Sequence, residues 1–440
     1  MVVNNTRIDS FSGYVEPFDE LRYKLELGDD WTITSVTSFD YDEPPKGSWT
    51  MHSFGLTIIN IEHRRMESYV CPECSSSARL KQYRIRKLHH VRGYGYDTVL
   101  RVRIPQIVCG ECGKASLMPF PMARKGVSFT IGFEGWALRT LYDKNVSKAS
   151  RETMVGQWML WDILFYRVNE ALEGLVLDNV GMISIDETSF RKGHDYVTVV
   201  SDQDRRLVFM CHGKGSNSLA EFCDWMRLHG GDPKKISVVC ADMSTAFESG
   251  IKRYLPNAVE VFDKFHVIKL LNDDMNVIRK RLIKTTPTEK RKELGHIKFT
   301  VLKHRESMSE KDEERYRTIR LMNPELALAY DMKEAFYSIY EQEDKDAAKK
   351  FFDGWSEWVI NDGCRELKIR ARKLREKMDK ILSWYDHPVT NAFAEGLNSK
   401  IQKVKADGCG FTNVENFINL CYFRFGDLDI DLTDKHDGGA

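Results

Sequence analysis

Residues 182–190, MISIDETSF, open the part of the chain whose pattern decides the fold. Two further apolar segments, DYVTVVSD at 195–202 and RRLVFMCHG at 205–213, follow at once, and all three are typical of β-strands. We then expect a helix over 218–230, a strand over 235–244, a helix over 245–256 and a strand over 258–267. The predicted order is three strands, a helix, a strand, a helix and a strand.

Three carboxylates occupy informative positions around this order. Asp186 lies on the first strand and Asp242 directly follows the fourth, as the first two acidic residues of a ribonuclease-H-like fold do. Glu395 lies much later, in the helix-like stretch TNAFAEGLNSKIQ at 390–402. Each of them, taken alone, is also an ordinary turn or cap residue. Together, two Asp and a Glu are suited to holding two Mg²⁺ ions about 4 Å apart for phosphodiester chemistry.

A helical insertion explains why Glu395 lies so far from Asp242. Residues 268–385 are charged and almost wholly helical in pattern, so removing them restores the ribonuclease-H-like order. The insertion contains two segments rich in Lys and Arg, at 276–299 and 366–380, which are candidates for DNA contacts. Its large aromatic residues are more typical of a core than of a base-stacking surface; they are Trp355, Trp358 and Trp384.

The last helix is predicted to begin after Pro388, with Thr390 or Asn391 as N-cap. On a 3.6-residue period the face of Glu395 is polar and is shared by Asn391, Asn398 and Gln402. The residues that face another way are Phe393, Leu397 and Ile401. Gly396 is expected to let a neighbouring backbone approach closely.

Two Cys-x-x-Cys pairs predict a metal site. Cys71-Pro-Glu-Cys74 and Cys109-Gly-Glu-Cys112 are separated by sequence that alternates like β-strands, so a ribbon would bring the pairs together. Four thiolates suit a closed, tetrahedral, structural Zn²⁺ site that leaves no position for catalysis. The alternative is reduced thiols in two turns.

A basic run lies between the two pairs. RLKQYRIRKLHHVR, at 79–92, belongs to a segment with eight Lys and Arg from 79 to 103 and only Asp97 opposing them. We expect Arg84, Arg86 and Lys87 to contact DNA phosphates. A solvated charged face is the alternative.

Residues 127–180 are predicted to be helical, with QWMLWDILFYRVNEAL as the longer helix. A helix-turn-helix is one interpretation of this segment, and a purely structural helical bundle is the other. The buried face of the longer helix is expected to consist of Trp158, Leu160, Ile163, Leu164 and Val168.

Composition limits the class of protein. A hydrophobic content of 42%, a charged content of 30% and a net charge of zero describe a globular chain without a global field that attracts nucleic acid. No apolar run is long enough to cross a bilayer, and the start of the sequence lacks a signal-peptide pattern. We therefore expect a cytoplasmic protein whose ten Cys are mostly reduced.

These motifs together resemble the ISL3 group of insertion-sequence transposases, which carry a DDE catalytic domain. The resemblance extends from about Cys71 to Phe425 and depends on order and spacing. Its pieces are CPEC, CGEC, IDETSFRKGHDYVTVVSD, VVCADMSTAF, VFDKFHVIKLLNDDMNVIRK, NAFAEGLNSKIQ and GFTNVENF. Two departures concern DNA contacts: Gly213-Lys214 stands where Gly-Arg is expected, and the run at 403–407 is less basic than expected.

The resemblance implies specific roles. Asp186, Asp242 and Glu395 would be the metal ligands, and the cofactors would be Mg²⁺ or Mn²⁺ with structural Zn²⁺. Asp263 and His266 form a D-x-x-H pair, in which His266 would touch a phosphate or orient a carboxylate, or else cap its helix. In the catalytic domain the expected DNA-contacting cations are Arg191, Lys192, Lys214, Lys400 and Lys403.

The protein that this resemblance implies is a multidomain α+β and α/β enzyme, bacterial and nucleoid-associated, that acts on double-stranded DNA as a homodimer. It would bind terminal inverted repeats, cleave a DNA strand and join the 3′-OH end to target DNA. The alternatives are a transposase-derived DNA-binding protein without turnover, and a nuclease acting on RNA hybrids. The expected regions are an N-terminal α+β region (1–66), a zinc ribbon (67–126), a helical DNA-binding domain (127–180), a ribonuclease-H-like core (181–267 and 386–440) and the helical insertion (268–385).

Overall fold

The computed structural model describes residues 18–41, 54–93, 95–191, 195–262, 264–285, 287, 297–387, 392–408 and 411–432, with only the backbone for 392–395. The chain divides into two compact units, the first within 1–172 and 428–440 and the second within 173–427. Among the described helices, none combines the length and the apolar character needed to cross a membrane.

A six-stranded sheet dominates the first unit. Its strands are β1 (Trp31–Asp40), β2 (Gly55–His63), β3 (Tyr69–Val70), β4 (Ser77–Gly93), β5 (Tyr96–Cys109) and β6 (Ala115–Leu117), preceded by the short helix α1 (Asp19–Lys24). The order is β1-β2-β5-β4-β3, with β6 paired to β5. The long antiparallel pair β4–β5 connects the two Cys-x-x-Cys pairs and confirms the predicted strands between them.

One face of this sheet is buried. Leu88, Leu100, Val102 and Ile104 project from β4 and β5 into a core that includes Trp31 and Phe120. Because side chains alternate along a strand, the intervening residues of β4 and β5 lie on the other face. The basic run therefore contributes residues to both faces of the sheet.

Three helices follow the sheet in the first unit: α2 (Ile131–Asp143), α3 (Val146–Thr153) and α4 (Gln157–Glu173). The Thr130 hydroxyl accepts a hydrogen bond from Phe133 N and caps α2, and the Asn145 side chain caps α3 in the same way. Met154, in the left-handed conformation at φ 59°, ends α3 and separates it from α4.

The buried face of α4 differs from the prediction in one residue. Leu160, Ile163, Leu164 and Val168 are buried, but Trp158 is 69% exposed. At about 100° per residue, Trp158 points about 160° away from Leu160, so it cannot share that face. The prediction for Trp158 was wrong because the spacing between it and Leu160 is two residues instead of three or four.

The second unit begins with a five-stranded sheet. Its elements in chain order are β7 (Met182–Arg191), β8 (Asp195–Asp202), β9 (Leu207–His212), α5 (Ser216–Leu228), β10 (Val238–Ala241), α6 (Thr245–Tyr254) and β11 (Val259–Phe262). This is the predicted order of strands and helices. The sheet order is β11-β10-β7-β8-β9, with β7, β8 and β9 antiparallel and β10 and β11 parallel to β7.

The two faces of this sheet are covered by different helices. Ile183 and Ile185 of β7 pack in a core with Phe222 of α5 and Phe247 of α6. Residues of β7 between them therefore point to the opposite face. That face receives the last two helices of the unit, which span 392–407 and 414–425.

A helical region follows β11, as predicted. Its described helices are α7 (Lys264–Thr285), α8 (Lys298–Leu302), α9 (Glu310–Met322), α10 (Pro324–Tyr337), α11 (Lys345–Asp362), α12 (Arg365–Glu376) and α13 (Met378–Leu382); α14 (Ala392–Asp407) and α15 (Val414–Phe425) come after it. Trp355 is 4% exposed, and its indole Nε1 donates to Met332 O at 2.8 Å. Trp358 and Trp384 pack partly buried against the same core, so the core interpretation of the three residues is confirmed.

Candidate functional site

The register of β7 and β10 brings Asp186 and Asp242 to the same level. The last paired residues of these parallel strands are Ser184 and Cys240. Asp186 lies two residues after Ser184, and Asp242 lies two residues after Cys240. Adjacent strands lie about 4.8 Å apart. The two residues are 56 positions apart in the sequence, and this register places both at the same end of the sheet.

Hydrogen bonds fix the orientation of both carboxylates. Asp186 Oδ1 accepts from Glu187 N at 2.7 Å, and Asp186 Oδ2 accepts from the side-chain amide of Asn398. Asp242 Oδ1 accepts from Ser244 N at 2.9 Å, at the start of α6. Each carboxylate thus has one oxygen held by a backbone amide.

Helix α14 lies across β7 on the face of Asp186. Asn398 binds Asp186, the Gln402 amide donates to Thr188 Oγ1, and Lys405 Nζ donates to Ser189 O at 2.5 Å. Leu397 and Ile401 are buried. The predicted polar stripe is therefore confirmed for Asn398 and Gln402, and the predicted apolar side for Leu397 and Ile401.

Glu395 occupies a backbone position one helical turn before Asn398 in α14. Its side chain, that of Phe393, and residues Pro388, Thr390 and Asn391 lie outside the part of the chain whose side chains the structure describes. The expectation for Gly396 was wrong: among the described residues, no atom would lie within 4 Å of a Cβ placed on it. The helix contacts β7 through the side chains of Asn398, Gln402 and Lys405 instead.

His266 lies in the first turn of α7, close to the two carboxylates. Its Nε2 is 3.9 Å from Asp186 Oδ1, and both side chains are about one-fifth exposed. The other member of the D-x-x-H pair, Asp263, lies outside the described residues.

Glu187 is a further carboxylate at this site, which the sequence reasoning missed. Its Oε1 accepts from Gly215 N at 3.0 Å, at the N-terminus of α5. Burial raises the pKa of Glu187, and the charges of Asp242 and Asp186 act in the same direction. The signal in the sequence was its position next to Asp186, but the link to Gly215 exists only in the folded chain.

A cleft of about 570 Å³ opens beside Asp242. One wall is formed by residues 242–245 and His266, and the other by α12. Four cations line it: Lys269, Arg370, Lys373 and Lys377. Arg370 and Lys377 are paired with Asp274 and Glu248, whereas Lys269 and Lys373 are exposed and form no ion pair with a described residue.

The four predicted zinc ligands come together in the first unit. The sulfur atoms of Cys71, Cys74, Cys109 and Cys112 all lie within 4.8 Å of one another. Cys74 Sγ is 3.5 Å from Cys109 Sγ, and Cys71 Sγ is 3.8 Å from Cys112 Sγ. These distances are too long for disulfides and match the sulfur separation of about 3.8 Å around a tetrahedral zinc ion with bonds of about 2.3 Å.

The backbone around the cluster is suited to metal binding. The residue after each Cys-x-x-Cys pair has a left-handed conformation, with φ 59° at Ser75 and 68° at Gly113. A backbone hydrogen bond with Ser76 is the main cause that lowers the pKa of the Cys74 thiol to about 6. A thiolate is the form that binds metal. The cluster could therefore hold a zinc ion.

The predicted cations of β4 are divided between two faces of the sheet. Arg84 and Arg86 lie opposite Ile104 and Val102, on the side of the buried core. Arg86 is half-buried, and its guanidinium donates to Arg124 O and Val127 O at 3.2 and 2.6 Å. Lys87 lies on the other face, exposed.

The predicted cations of the second unit have different surroundings. The Arg191 guanidinium donates to the carbonyls of Phe411 and Thr412, and the Lys214 ammonium lies 4.8 Å from the Tyr196 ring centre. Lys400 and Lys403 are exposed on α14. Lys192 lies outside the described residues. Arg191 therefore has a structural contact, whereas Lys400 and Lys403 are accessible.

Comparison with known proteins agrees with this geometry. Residues 183–421, more than half of the chain, match the model of a DDE transposase family of the ISL3 type. The transposase for insertion sequence element IS1001 of Bordetella parapertussis is 22% identical over 364 residues, which cover 79% of this chain and 86% of that protein. The transposase for insertion sequence element IS1557 of Mycobacterium tuberculosis is 24% identical over 449 aligned residues, which cover 94% of this chain and 97% of that protein. The chain belongs to the ISL3 family of DDE transposases.

Proposed function

We propose that this transposase binds the terminal inverted repeats of an insertion sequence, cleaves one DNA strand with the help of a divalent metal, and uses the resulting 3′-OH to attack target DNA. The observation that carries the proposal is that Asp186 on β7 and Asp242, directly after the adjacent parallel strand β10, lie at the same end of the sheet, with α14 packed on the face of Asp186. The proposed fold of this region is ribonuclease-H-like, because the strand order and the mixed sheet are those expected from the sequence.

The donor atoms present fit Mg²⁺ or Mn²⁺. Asp186 and Asp242 offer hard carboxylate oxygens, and Glu395 is proposed as the third ligand from its backbone position one turn before Asn398. Asn398 Oδ1 is buried and accepts no hydrogen bond from the described residues, so a neutral oxygen is also present beside Asp186. Bound metal would activate the attacking oxygen and stabilise the leaving one.

The protein's own side chains would orient the metal ligands and bind the DNA. Asn398 and Glu187 N hold the two oxygens of Asp186 in one orientation. His266, 3.9 Å from Asp186, is proposed to orient this carboxylate or to contact a phosphate. Lys269 and Lys373 line the cleft next to Asp242 and are placed to attract the phosphodiester backbone. Lys400 and Lys403 are further proposed contacts.

Each region expected from the sequence has a proposed function. The four-cysteine cluster would hold structural zinc and stabilise a ribbon within 67–126. Residues 127–180 would form a helical DNA-binding domain, and 268–385 an insertion between the parts of the catalytic core. A homodimer is proposed because two transposon ends must be brought together. The exception is the N-terminal region within 1–66, which has no proposed function.

The experiment is DNA cleavage and strand transfer on DNA that contains the ends of the element, with Mg²⁺ or Mn²⁺. We expect activity from the wild type and a loss of about 10³-fold or more in Asp186→Asn, since a metal ligand is removed. Asp224→Asn is the matched control, because Asp224 is an exposed carboxylate of α5 in the same unit. Equal cleavage by the wild type and Asp186→Asn would exclude this site. End-DNA binding without metal-dependent cleavage would favour the transposase-derived DNA-binding protein instead.

A further inference from the structure

One face of the sheet in the first unit is left open to solvent and is cationic. The open face consists of Ile85 and Lys87 on β4, Arg101 and Arg103 on β5, and Asn60 and Glu62 on β2. Lys87 pairs with Arg101, Ile85 with Arg103, and Asn60 with Arg101 in the sheet register. Neighbouring members are therefore separated by about 5 Å across strands and about 7 Å along a strand.

The open face is mostly polar and exposed, whereas the other face of the same strands is mostly apolar and buried. Leu88, Leu100 and Val102 alternate with these residues and are 0% exposed in the core. Lys87, Arg101 and Arg103 are exposed, and Ile85 is 56% exposed. On the open face three cations therefore stand against one carboxylate, Glu62, and such a local excess of positive charge attracts anions.

The pairing of Lys87 with Arg101 costs stability. Like charges directly opposite each other on adjacent strands repel. Neither residue forms an ion pair with the part of the chain that the structure describes. Arg103 is different, because its guanidinium pairs with Glu62 at 3.1 Å and lies 4.0 Å from the Tyr83 ring centre. Two adjacent cations with no carboxylate partner among the described residues are suited to an external anion.

We propose that the open face binds the phosphate backbone of duplex DNA, with Lys87 and Arg101 as its main contacts. The proposal rests on the proposed function in one respect, which is that DNA is the polyanion that this protein binds. It changes the predicted contact set: Arg84 and Arg86 lie on the core side of β4, and Arg86 is engaged with two carbonyls. Asn60, whose Nδ2 donates to Ser35 Oγ at 2.9 Å, extends the polar row to β1.

The test is equilibrium binding of labelled, mixed-sequence duplex DNA by the full-length, zinc-loaded protein without Mg²⁺, over a range of salt concentrations. For Lys87→Gln/Arg101→Gln we expect about tenfold weaker binding at low salt and a slope of log K against log salt that is smaller by about 1.8, because two phosphate contacts are lost. Arg79→Gln/Lys81→Gln is the matched control. It removes the same charge from exposed residues of β4 that lie eight and six residues before Lys87. This control should bind with the wild-type slope.

Thermal unfolding of the same variants separates binding from folding. Relief of the repulsion predicts that Lys87→Gln/Arg101→Gln is at least as stable as the wild type. The proposal would be overturned by unchanged binding or by an equal loss of DNA affinity in both double variants. It would also be overturned if the loss of affinity came with a lowered melting temperature, or if affinity fell for duplex RNA but not for duplex DNA. The cleavage assay with Asp186→Asn reports on the proposed function independently, because it depends on metal and this assay does not.

Discussion

Asn398, on α14, donates a side-chain hydrogen bond to Asp186 on β7, although the two residues are 212 positions apart in the chain. The bond leaves Asp186 Oδ1 with a backbone donor and Oδ2 with a side-chain donor. It also attaches the helix that carries Glu395 to the strand that carries Asp186. The geometry of the proposed metal site therefore depends on a residue that is not itself a proposed ligand.

Replacing Asn398 should weaken the site without removing a ligand. We expect Asn398→Ala to lower cleavage by about 10–100-fold and to raise the Mg²⁺ concentration needed for half-maximal activity, since residues that orient metal ligands have effects of this size. The measurement is cleavage rate against Mg²⁺ concentration. Ser399→Ala, at the exposed next position of α14, should behave as the wild type. An unchanged Mg²⁺ dependence in Asn398→Ala would contradict the positioning role.

The cleft beside Asp242 should contribute to DNA affinity more than to chemistry. Lys269→Gln/Lys373→Gln removes two exposed cations of the cleft. We expect KM for DNA to rise about tenfold with kcat nearly unchanged, because contacts made equally in the ground and transition states affect binding alone. The matched control is Lys349→Gln/Lys350→Gln, exposed on α11. A fall in kcat at constant KM would show that these residues act on the reaction itself.

The four-cysteine cluster should hold one zinc ion per chain, since four thiolates complete a tetrahedral site. Native mass spectrometry should detect the ion in the wild type and not in Cys71→Ser. Chelation should unfold the ribbon around β3 and the start of β4, because the metal closes this part of the sheet. Cys364→Ser, at the N-cap of α12, should keep its zinc. Full zinc occupancy in Cys71→Ser would rule out the cluster as the binding site.

Two tryptophans should respond differently to truncation. Trp355, 4% exposed, contacts Phe336 and Phe352 in the helical core, whereas Trp158 is 69% exposed on α4. Trp355→Ala should lower the free energy of unfolding by about 3–5 kcal/mol through loss of packing and creation of a cavity. Trp158→Ala should change it by only about 0.5 kcal/mol. Urea unfolding followed by circular dichroism measures both, and equal losses would mean that Trp158 is buried.

Local sequence patterns were sufficient to predict where much of the candidate site lies. Apolar runs that reach an Asp predicted β7 with Asp186 on it and β10 with Asp242 directly after it, because short apolar segments are typical of strands. The two Cys-x-x-Cys pairs predicted the metal cluster, because this spacing fits one metal ion. The polar stripe of α14 followed from the helical period. The period of two also places Arg84 and Lys87 on opposite faces of one strand, whereas their contact with DNA stays a prediction.

Some errors arose where the pattern was present but was not applied. Trp158 and Leu160 are two residues apart, which a helix places on different sides. Gly396 was assigned a close backbone contact from its residue type alone, and the structure shows open space there.

The sequence by itself determined the elements, their order, the positions of the two Asp proposed as metal ligands and the set of four cysteines, because these depend on burial and spacing within short segments. Only the tertiary structure decided that Asn398 holds Asp186, that Glu187 reaches Gly215, and that Lys87 stands beside Arg101. These pairs join residues from separate elements. Their contact depends on strand register and helix packing, which the burial of the whole core sets and no short segment encodes.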